Sequence, residues 1–353
     1  MSEYRLRVGV IGVGIRGQHA YEQFLAARPD CEIVAVAQQP SPVPELLEGK
    51  DPEETARQWA DHLRAEYTAD FGELLARPDI DLISLMCDPA ASPALMAAAA
   101  EAGKHIIRDK LIANTVAGAE KAVAACERAG VQALITYNLR YCPAVATALQ
   151  RVAAGEIGRP LAATFVYMRG DGPLEGFTAT EAYRRVVGGG ELTTFGVYAA
   201  DVLLELLSGE MPQAVFASTG CYFYPDYADA GLEDMGQVTL LYSDGRIGHF
   251  ITGRTVTSPT PDCYFRLEVT GTRGTMTVAG PEAALMKWRQ GRQVVTYEAA
   301  RAVHAMLDDF IGRLRSGLPS PIPPRRGLEV LAIIRAAYLS ANRRQPVAVT
   351  EAS

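Results

Sequence analysis

The residues with the plainest chemical use are Gly12-Val13-Gly14-Ile15-Arg16-Gly17. Glycine at the first, third and sixth positions suits a dinucleotide pyrophosphate when a strand leads in and a helix leads out. Here the apolar run Arg5–Ile11 precedes the glycines and a helical pattern follows them. Gly12 permits the tight turn, Gly14 lets the backbone approach the phosphates, and Gly17 allows close helix–strand packing. Ile15 and Arg16 complete a loop whose helix N-terminus offers free N–H groups to an anion. About 20 residues on, an acid would take the adenosine ribose of NAD. This chain has Gln38-Gln39 there, with no nearby cation to attract a 2′-phosphate. Gln38 is therefore the candidate ribose contact, and both NAD and NADP stay open as cofactor.

Other chemistries lack their residues. Cys31, Cys87, Cys126, Cys142, Cys221 and Cys263 are widely spaced, with no Cys-x-x-Cys pair. His19, His62, His105, His249 and His304 show no metal-ligand spacing, so no metal is expected. A Walker lysine motif and a Gly-x-Ser-x-Gly elbow are both absent, which removes phosphoryl-transfer and serine-hydrolase readings. Cys87 ends an apolar run and is expected to border the cofactor as an inert thiol rather than a nucleophile. Free thiols suit a reducing cytoplasm, the expected location.

These residues need elements to hold them. The strands predicted in the first part are Arg5–Ile11, Cys31–Ala37, Leu82–Cys87, Lys104–Arg108 and Val131–Tyr137. Helical patterns lie between them at Gln18–Ala27, Pro52–Ala65, Ala90–Ala102 and Asn114–Ala129. Continuous apolar strands alternating with helices imply a parallel sheet covered on both faces, a doubly wound α/β Rossmann domain. After about residue 141 the rhythm changes. A helix at Pro143–Ala153 is followed mainly by strands: Leu161–Met168, Ala214–Tyr222, Gln237–Tyr242, Arg246–Thr252, Tyr264–Thr270 and Thr275–Val278. Ser243-Asp244-Gly245 and Gly271-Thr272-Arg273-Gly274 read as hairpin turns. One helix interrupts at Val197–Leu207, and two more close the chain near Arg301–Ser316 and Arg326–Asn342. This is an α+β domain with a large, mainly antiparallel open sheet. The expected division is 1–140 and 141–353, with the closing helix 326–342 able to pack back on the first domain.

Bulk properties agree. A chain of 353 residues is the size of two domains. It is 48% hydrophobic and 21% charged, ordinary for a globular protein. A net charge of −7 argues against non-specific binding to nucleic acid or an anionic membrane. No secretory signal and no membrane-spanning run are expected.

Together the motifs resemble the glucose–fructose oxidoreductase, inositol dehydrogenase and rhizopine-catabolism (Gfo/Idh/MocA) family. The glycine cradle is one point of likeness. Ala102-Gly103-Lys104-His105-Ile106-Ile107-Arg108-Asp109-Lys110 is similar to the family's "AGKHVxxEK" strand and loop. Gly155-Glu156-Ile157-Gly158 resembles its "GEIG" turn, and Gly188-Gly189-Gly190-Glu191-Leu192 through Asp201 its "GGGxLxDxGxHxxD" segment. Gly271-Thr272-Arg273-Gly274-Thr275 resembles its "GTxGx" hairpin.

The resemblance implies an NAD(P)-dependent oxidoreductase acting on a sugar, polyol or related hydroxy or keto compound. It places the family's catalytic lysine on Lys110 and its usual histidine on Tyr198. A phenol is a poor base unless a cation lowers its pKa of about 10, so the two imply an acid–base pair. Asp109 joins the cofactor contacts. Asn138, Arg140, Thr194 and Asp201 are the candidate substrate contacts, each with a packing alternative. The resemblance also implies a homodimer or homotetramer formed through the second domain's sheet.

Several positions depart from the family pattern. Asp109 replaces a glutamate, Leu111 a proline and Thr194 an aspartate, and Cys87-Asp88-Pro89-Ala90-Ala91-Ser92 stands for "TPNxxH". These motivate two rivals: a non-catalytic NAD(P)-binding sensor or scaffold, and a redox-neutral lyase or glycosidase that uses the cofactor transiently.

Overall fold

The computed structural model describes residues 5–13, 21–39, 51–170, 181–255, 263–279, 283–288, 291–296 and 299–352. The chain divides into two compact units, Met1–Thr136 with Val303–Leu328, and Tyr137–Ala302 with Glu329–Ser353.

The first unit is built on six parallel strands: β1 Leu6–Ile11, β2 Cys31–Ala37, β3 Glu66–Thr68, β4 Leu82–Leu85, β5 His105–Arg108 and β6 Ala133–Ile135. Their order across the sheet is β3-β2-β1-β4-β5-β6. Helices α1 Glu22–Ala27, α2 Pro52–Leu63, α3 Phe71–Ala76, α4 Ser92–Glu101 and α5 Val116–Ala129 alternate with the strands. All four residues of β4 are buried, as in a strand covered on both faces. The helices start where their caps allow. The Asp51 carboxylate accepts the Glu54 N–H at 2.7 Å to open α2, and the Thr115 hydroxyl accepts the Gly118 N–H at 3.1 Å to open α5. Beyond the expected elements, the structure adds β3 and α3. Three polar-leaning residues, Glu66–Thr68, form an edge strand against Ala35–Ala37, too short to show a period.

Residues 303–328 join this unit through specific contacts. His304 stacks on Phe24 with ring centroids 4.5 Å apart. Arg28 pairs with Asp308, and the Ile135 N–H donates to the Ile322 carbonyl at 2.9 Å. The division expected at residue 140 left these residues with the second domain. Compactness instead groups them with the first.

The second unit opens with a short 3-10 turn, Asn138–Tyr141, and α6 Pro143–Ala153. Its sheet contains β7 Pro160–Arg169, β8 Ala214–Gly220, β9 Met235–Leu241, β10 Ile247–Arg254, β11 Cys263–Gly271, β12 Gly274–Ala279, β13 Ala283–Trp288, β14 Gly291–Thr296 and β15 Val347–Ala348. The order is β14-β13-β12-β11-β7-β10-β9-β8-β15. Among the described strands of this sheet, only the β7–β10 pair is parallel. The hairpin β13–β14 was not foreseen, because Arg292 and Gln293 break the apolar alternation there. Helices α7 Glu181–Val187, α8 Val197–Leu206 and α9 Pro225–Asp229 lie between the strands, and α10 Ala299–Arg315 and α11 Pro324–Arg343 follow them. One sheet face is the core side, with Phe165, Phe250 and Phe265 fully buried.

Candidate functional site

The candidate residues fall in two groups, one in each unit. In the first unit they gather where β1, β2, β4, β5 and β6 end. Gly14, Ile15, Arg16 and Gly17 lie outside the described residues. Gly12 is described, with φ +82°, a left-handed backbone that favours glycine. A Cβ there would stand 2.9 Å from both the carbonyl carbon and oxygen of Met86. Only glycine can make this turn against the end of β4, as a pyrophosphate-binding turn requires.

Gln38 sits at the end of β2, and its side chain is largely spent inside the protein. Its Oε1 accepts from the Val13 N–H at 3.3 Å and from the Gln39 N–H at 2.9 Å. Its Nε2 donates to the Pro52 carbonyl at 2.9 Å. Both acceptor lone pairs are thus engaged, and Gln38 ties the glycine turn to the start of α2. Gln39 is buried and exchanges hydrogen bonds with Asp88, whose N–H donates to Gln39 Oε1 at 2.8 Å. Asp88 Oδ1 in turn accepts the N–H groups of Ala90 and Ala91, at 3.1 and 2.9 Å, just before α4. Cys87 is buried beside this loop. Burial pushes its thiol up to about 11, against the pull of Arg108, so it stays a thiol at neutral pH. Arg108 is itself fully buried and donates to Ser92 Oγ at 2.6 Å and to the Leu85 carbonyl at 3.3 Å.

Lys110 lies on the turn after β5 and is half-buried. Its backbone N–H donates to Thr136 Oγ1 at 3.2 Å. Thr136 donates to Asp109 Oδ1 at 2.7 Å, and Tyr21 donates to the same oxygen at 2.9 Å. Asp109 is therefore anchored into the fold through buried hydroxyls. Next to Tyr21 on the chain is Glu22, fully buried, with Oε1 accepting from Ser84 Oγ at 3.0 Å. Burial raises the Glu22 carboxyl to about 8, the Ser84 hydroxyl opposes this, and the nearby Asp109 charge adds to it. His105, inside β5, accepts the Gln132 N–H on Nδ1 at 3.0 Å, and burial lowers its pKa.

In the second unit the central element is α8 and the π-turn Leu192–Gly196 that leads into it. Glu233 shapes its start. The Glu233 carboxylate accepts the N–H groups of Gly190 at 3.2 Å and Leu192 at 2.9 Å, and the Tyr338 hydroxyl at 2.7 Å. A Cβ on Gly190 would lie 2.1 Å from the Glu233 carbonyl oxygen, which explains the glycine. Burial raises the Glu233 pKa, and these donors hold it back. Thr194 turns its hydroxyl to the Gly190 carbonyl at 3.0 Å, bonding back along its own turn.

Tyr198 is half-buried in a cage of rings. Its ring meets Tyr137 edge-on at 6.3 Å and Tyr167 edge-on at 6.5 Å. Asp201, one helical turn on, is buried and accepts both donors of the Nε–Nη2 edge of Arg140, Nε at 2.8 Å. Arg140 also reaches Glu205 at 3.3 Å. Burial disfavours the Arg140 charge, but Asp201 and Glu205 outweigh it and raise the pKa. The pair fastens the 3-10 turn carrying Asn138 to α8.

Sequence reasoning missed Tyr21, Glu22 and Thr136, because nothing in a sequence tells which hydroxyls a fold will aim at one carboxylate. It also missed the fully buried Glu191–Arg254 pair, 2.8 Å apart, with the Tyr227 hydroxyl on Glu191 at 2.6 Å. The one available signal was an acid and a base embedded in otherwise apolar stretches.

A parallel sheet in this strand order, with a glycine-only turn where β1 ends, defines a dinucleotide-binding protein. Residues 6–137 match the model of an oxidoreductase family with an NAD-binding Rossmann fold, and residues 145–277 match the GFO/IDH/MocA C-terminal domain. The chain belongs to the Gfo/Idh/MocA family of oxidoreductases, and its first unit is that family's NAD-binding domain. Among similar proteins are an uncharacterized oxidoreductase, YrbE, and a scyllo-inositol 2-dehydrogenase (NAD(+)), both of Bacillus subtilis. YrbE is 29% identical over 220 residues, which is 62% of this chain and 61% of YrbE. The scyllo-inositol enzyme is 26% identical over 275 residues, 78% of this chain and 74% of that protein. A solved levoglucosan dehydrogenase in complex with NADH and levoglucosan has the same fold. Its TM-score is 0.82 at 21% identity, covering 98% of this chain and 99% of that one.

Proposed function

We propose that this chain is an NAD-dependent dehydrogenase or reductase for a sugar or polyol, with Lys110 and Tyr198 as its acid–base pair. The observation that carries this reading is the anchored Lys110 turn. Lys110 stands at the end of β5, where open α/β sheets bind their ligands, and its backbone is fixed through Thr136 and Asp109. The named activities of relatives such as the scyllo-inositol 2-dehydrogenase support the substrate class.

When bound, NAD gives or takes the hydride; the protein's part is to align and to move the proton. Gly12, with Gly14, Ile15, Arg16 and Gly17, would hold the pyrophosphate. Gln38 keeps one amide hydrogen for the ribose. It accepts nothing further, so it selects weakly between a ribose hydroxyl and a 2′-phosphate. Cys87 and Asp109 border the cofactor through their strand ends. Tyr198 gives a proton to the new alkoxide in reduction, or takes it in oxidation. Lys110 stabilises the phenolate and the reacting oxygen. Asn138 is the proposed substrate contact of its turn. Arg140, Thr194 and Asp201 position α8 more than they touch substrate, since each is bonded within the unit.

That last point also favours a second reading. With Asp201 spent on Arg140 and Thr194 in place of a carboxylate, the fold suits a cofactor-binding sensor or scaffold. The two readings part on one experiment. NAD⁺ is supplied with a panel of inositols, aldoses and anhydrosugars while NADH is followed. The dehydrogenase reading expects turnover with at least one compound. Tight NADH binding with none supports the scaffold.

A further inference from the structure

The hydroxyl cluster beneath the Lys110 turn has a geometry that goes beyond fastening. Tyr21 is 5% exposed and Thr136 is fully buried, and both aim at the same atom, Asp109 Oδ1. The single Thr136 proton goes to Asp109, leaving its lone pairs to receive the Lys110 N–H at 3.2 Å. The Tyr21 oxygen also lies 3.2 Å from Thr136 Oγ1, with its one proton given to Asp109 at the shorter distance. Tyr21, Thr136 and Asp109 thus make a ring of short polar contacts, into which the Lys110 amide donates. Hydrogen bonds to a carboxylate are short and directional. Two of them on one oxygen fix the Asp109 rotamer, and with it the backbone from which the Lys110 side chain departs. Loss of either hydroxyl leaves a polar partner short in a buried place.

Glu22 keeps this ring electrically simple. Its Oε2 has no hydrogen-bond partner among the described residues, and its burial favours the neutral acid. Asp109 is then the negative charge that the two hydroxyls serve. Tyr21 is also four residues beyond Gly17 in the chain. The segment that carries the cofactor cradle therefore runs directly into the group that anchors the lysine turn.

We propose that Tyr21 is a positioning residue for Lys110, acting through Asp109 and Thr136. The role rests on the reading of Lys110 as the acid–base lysine. It predicts that the Tyr21 hydroxyl, and not merely its ring, sets how Lys110 is presented.

The test is acetic anhydride labelling of the full chain, with each lysine quantified by mass spectrometry. The exposed Lys121 and Lys287 serve as internal references. Tyr21→Phe keeps the ring and should change Lys110 labelling several-fold against both references. Thr136→Val should do the same, and Thr136→Ser, which keeps a hydroxyl, should restore the wild-type ratio. In turnover, Tyr21→Phe should lower kcat while KM and NADH affinity hold. Wild-type labelling of Lys110 in Tyr21→Phe overturns the positioning role, as does an equal change in Thr136→Ser and Thr136→Val. The Thr136 pair keeps the test decisive if Tyr21→Phe does not fold. The parent reading fails differently. Lys110→Ala with undiminished turnover overturns both ideas, whereas an inactive Lys110→Ala beside unchanged labelling in Tyr21→Phe overturns the positioning role alone.

Discussion

Lys110 and Glu22 show how far burial decides what an ionisable side chain can do. Lys110 sits half-buried on a turn held by hydroxyls, with its side chain leaving a fixed backbone. A positioned acid–base group contributes about 10²–10⁴-fold to such a reaction. Lys110→Ala should therefore lose turnover by about that factor while its NADH titration stays unchanged. Glu22 is the opposite case, a carboxyl held neutral with its pKa raised to about 8 from the ordinary 4.5. The folded state then keeps a proton that the unfolded chain releases above about pH 4.5. Its stabilising share is complete below that pH and drains away as pH rises to about 8. The slope is at most about 1.4 kcal/mol per pH unit for one proton. Thermal unfolding between pH 5 and pH 8 should show wild-type stability falling and Glu22→Gln flattening that fall. An unchanged slope in Glu22→Gln would show that Glu22 ionises normally.

At the scale of elements, the candidate residues of the first unit depend on turns at strand ends, and those of the second on one helix. The β1 turn admits no side chain at Gly12. Gly12→Ala would force an L-residue into the left-handed region, at about 1–2 kcal/mol, and press its Cβ on the Met86 carbonyl. NADH fluorescence titration of this variant should show binding lost or severely weakened. Helix α8 is tied down by Arg140 on Asp201. Arg140→Ala would leave Asp201 buried without its partner, which costs about 3–5 kcal/mol for a buried pair broken on one side. Urea unfolding should show that loss.

The elements themselves were largely readable. Strand β2 and helix α6 fall on the predicted Cys31–Ala37 and Pro143–Ala153, because an apolar run and a proline-led amphipathic pattern are local signals. The edge strands Glu66–Thr68 and β14 were not readable, because they carry too little apolar pattern, and without β14 the β13–β14 hairpin is not evident. In the site, the glycine turn and the lysine could be named from motifs. The closed Arg140–Asp201 pair and the Tyr21–Thr136–Asp109 ring could not, since both join residues far apart in the chain.

At the scale of the whole molecule, an NAD-binding unit is joined to a sheet-rich unit. Among the described residues, no helix is long and apolar enough to cross a membrane. Binding of NADH to the folded chain should raise its unfolding midpoint, by the equivalent of about 2.7 kcal/mol at a hundredfold excess over Kd. The outer face of the nine-stranded sheet leaves Phe216 and Ile247 44% and 45% exposed. That face is the proposed oligomer surface, and light scattering on the purified protein should report a dimer or tetramer that Phe216→Asp with Ile247→Asp converts to monomer. The central claim is that Lys110 serves as an acid–base group in NAD-dependent redox chemistry on a sugar or polyol. It is tested most directly by following NADH formation from NAD⁺ across the inositol, aldose and anhydrosugar panel, with wild type and Lys110→Ala side by side. The account predicts turnover of at least one compound by wild type and its near-complete loss in Lys110→Ala at unchanged NADH affinity. Tight NADH binding with no turnover of any compound, or equal turnover by both proteins, would contradict it.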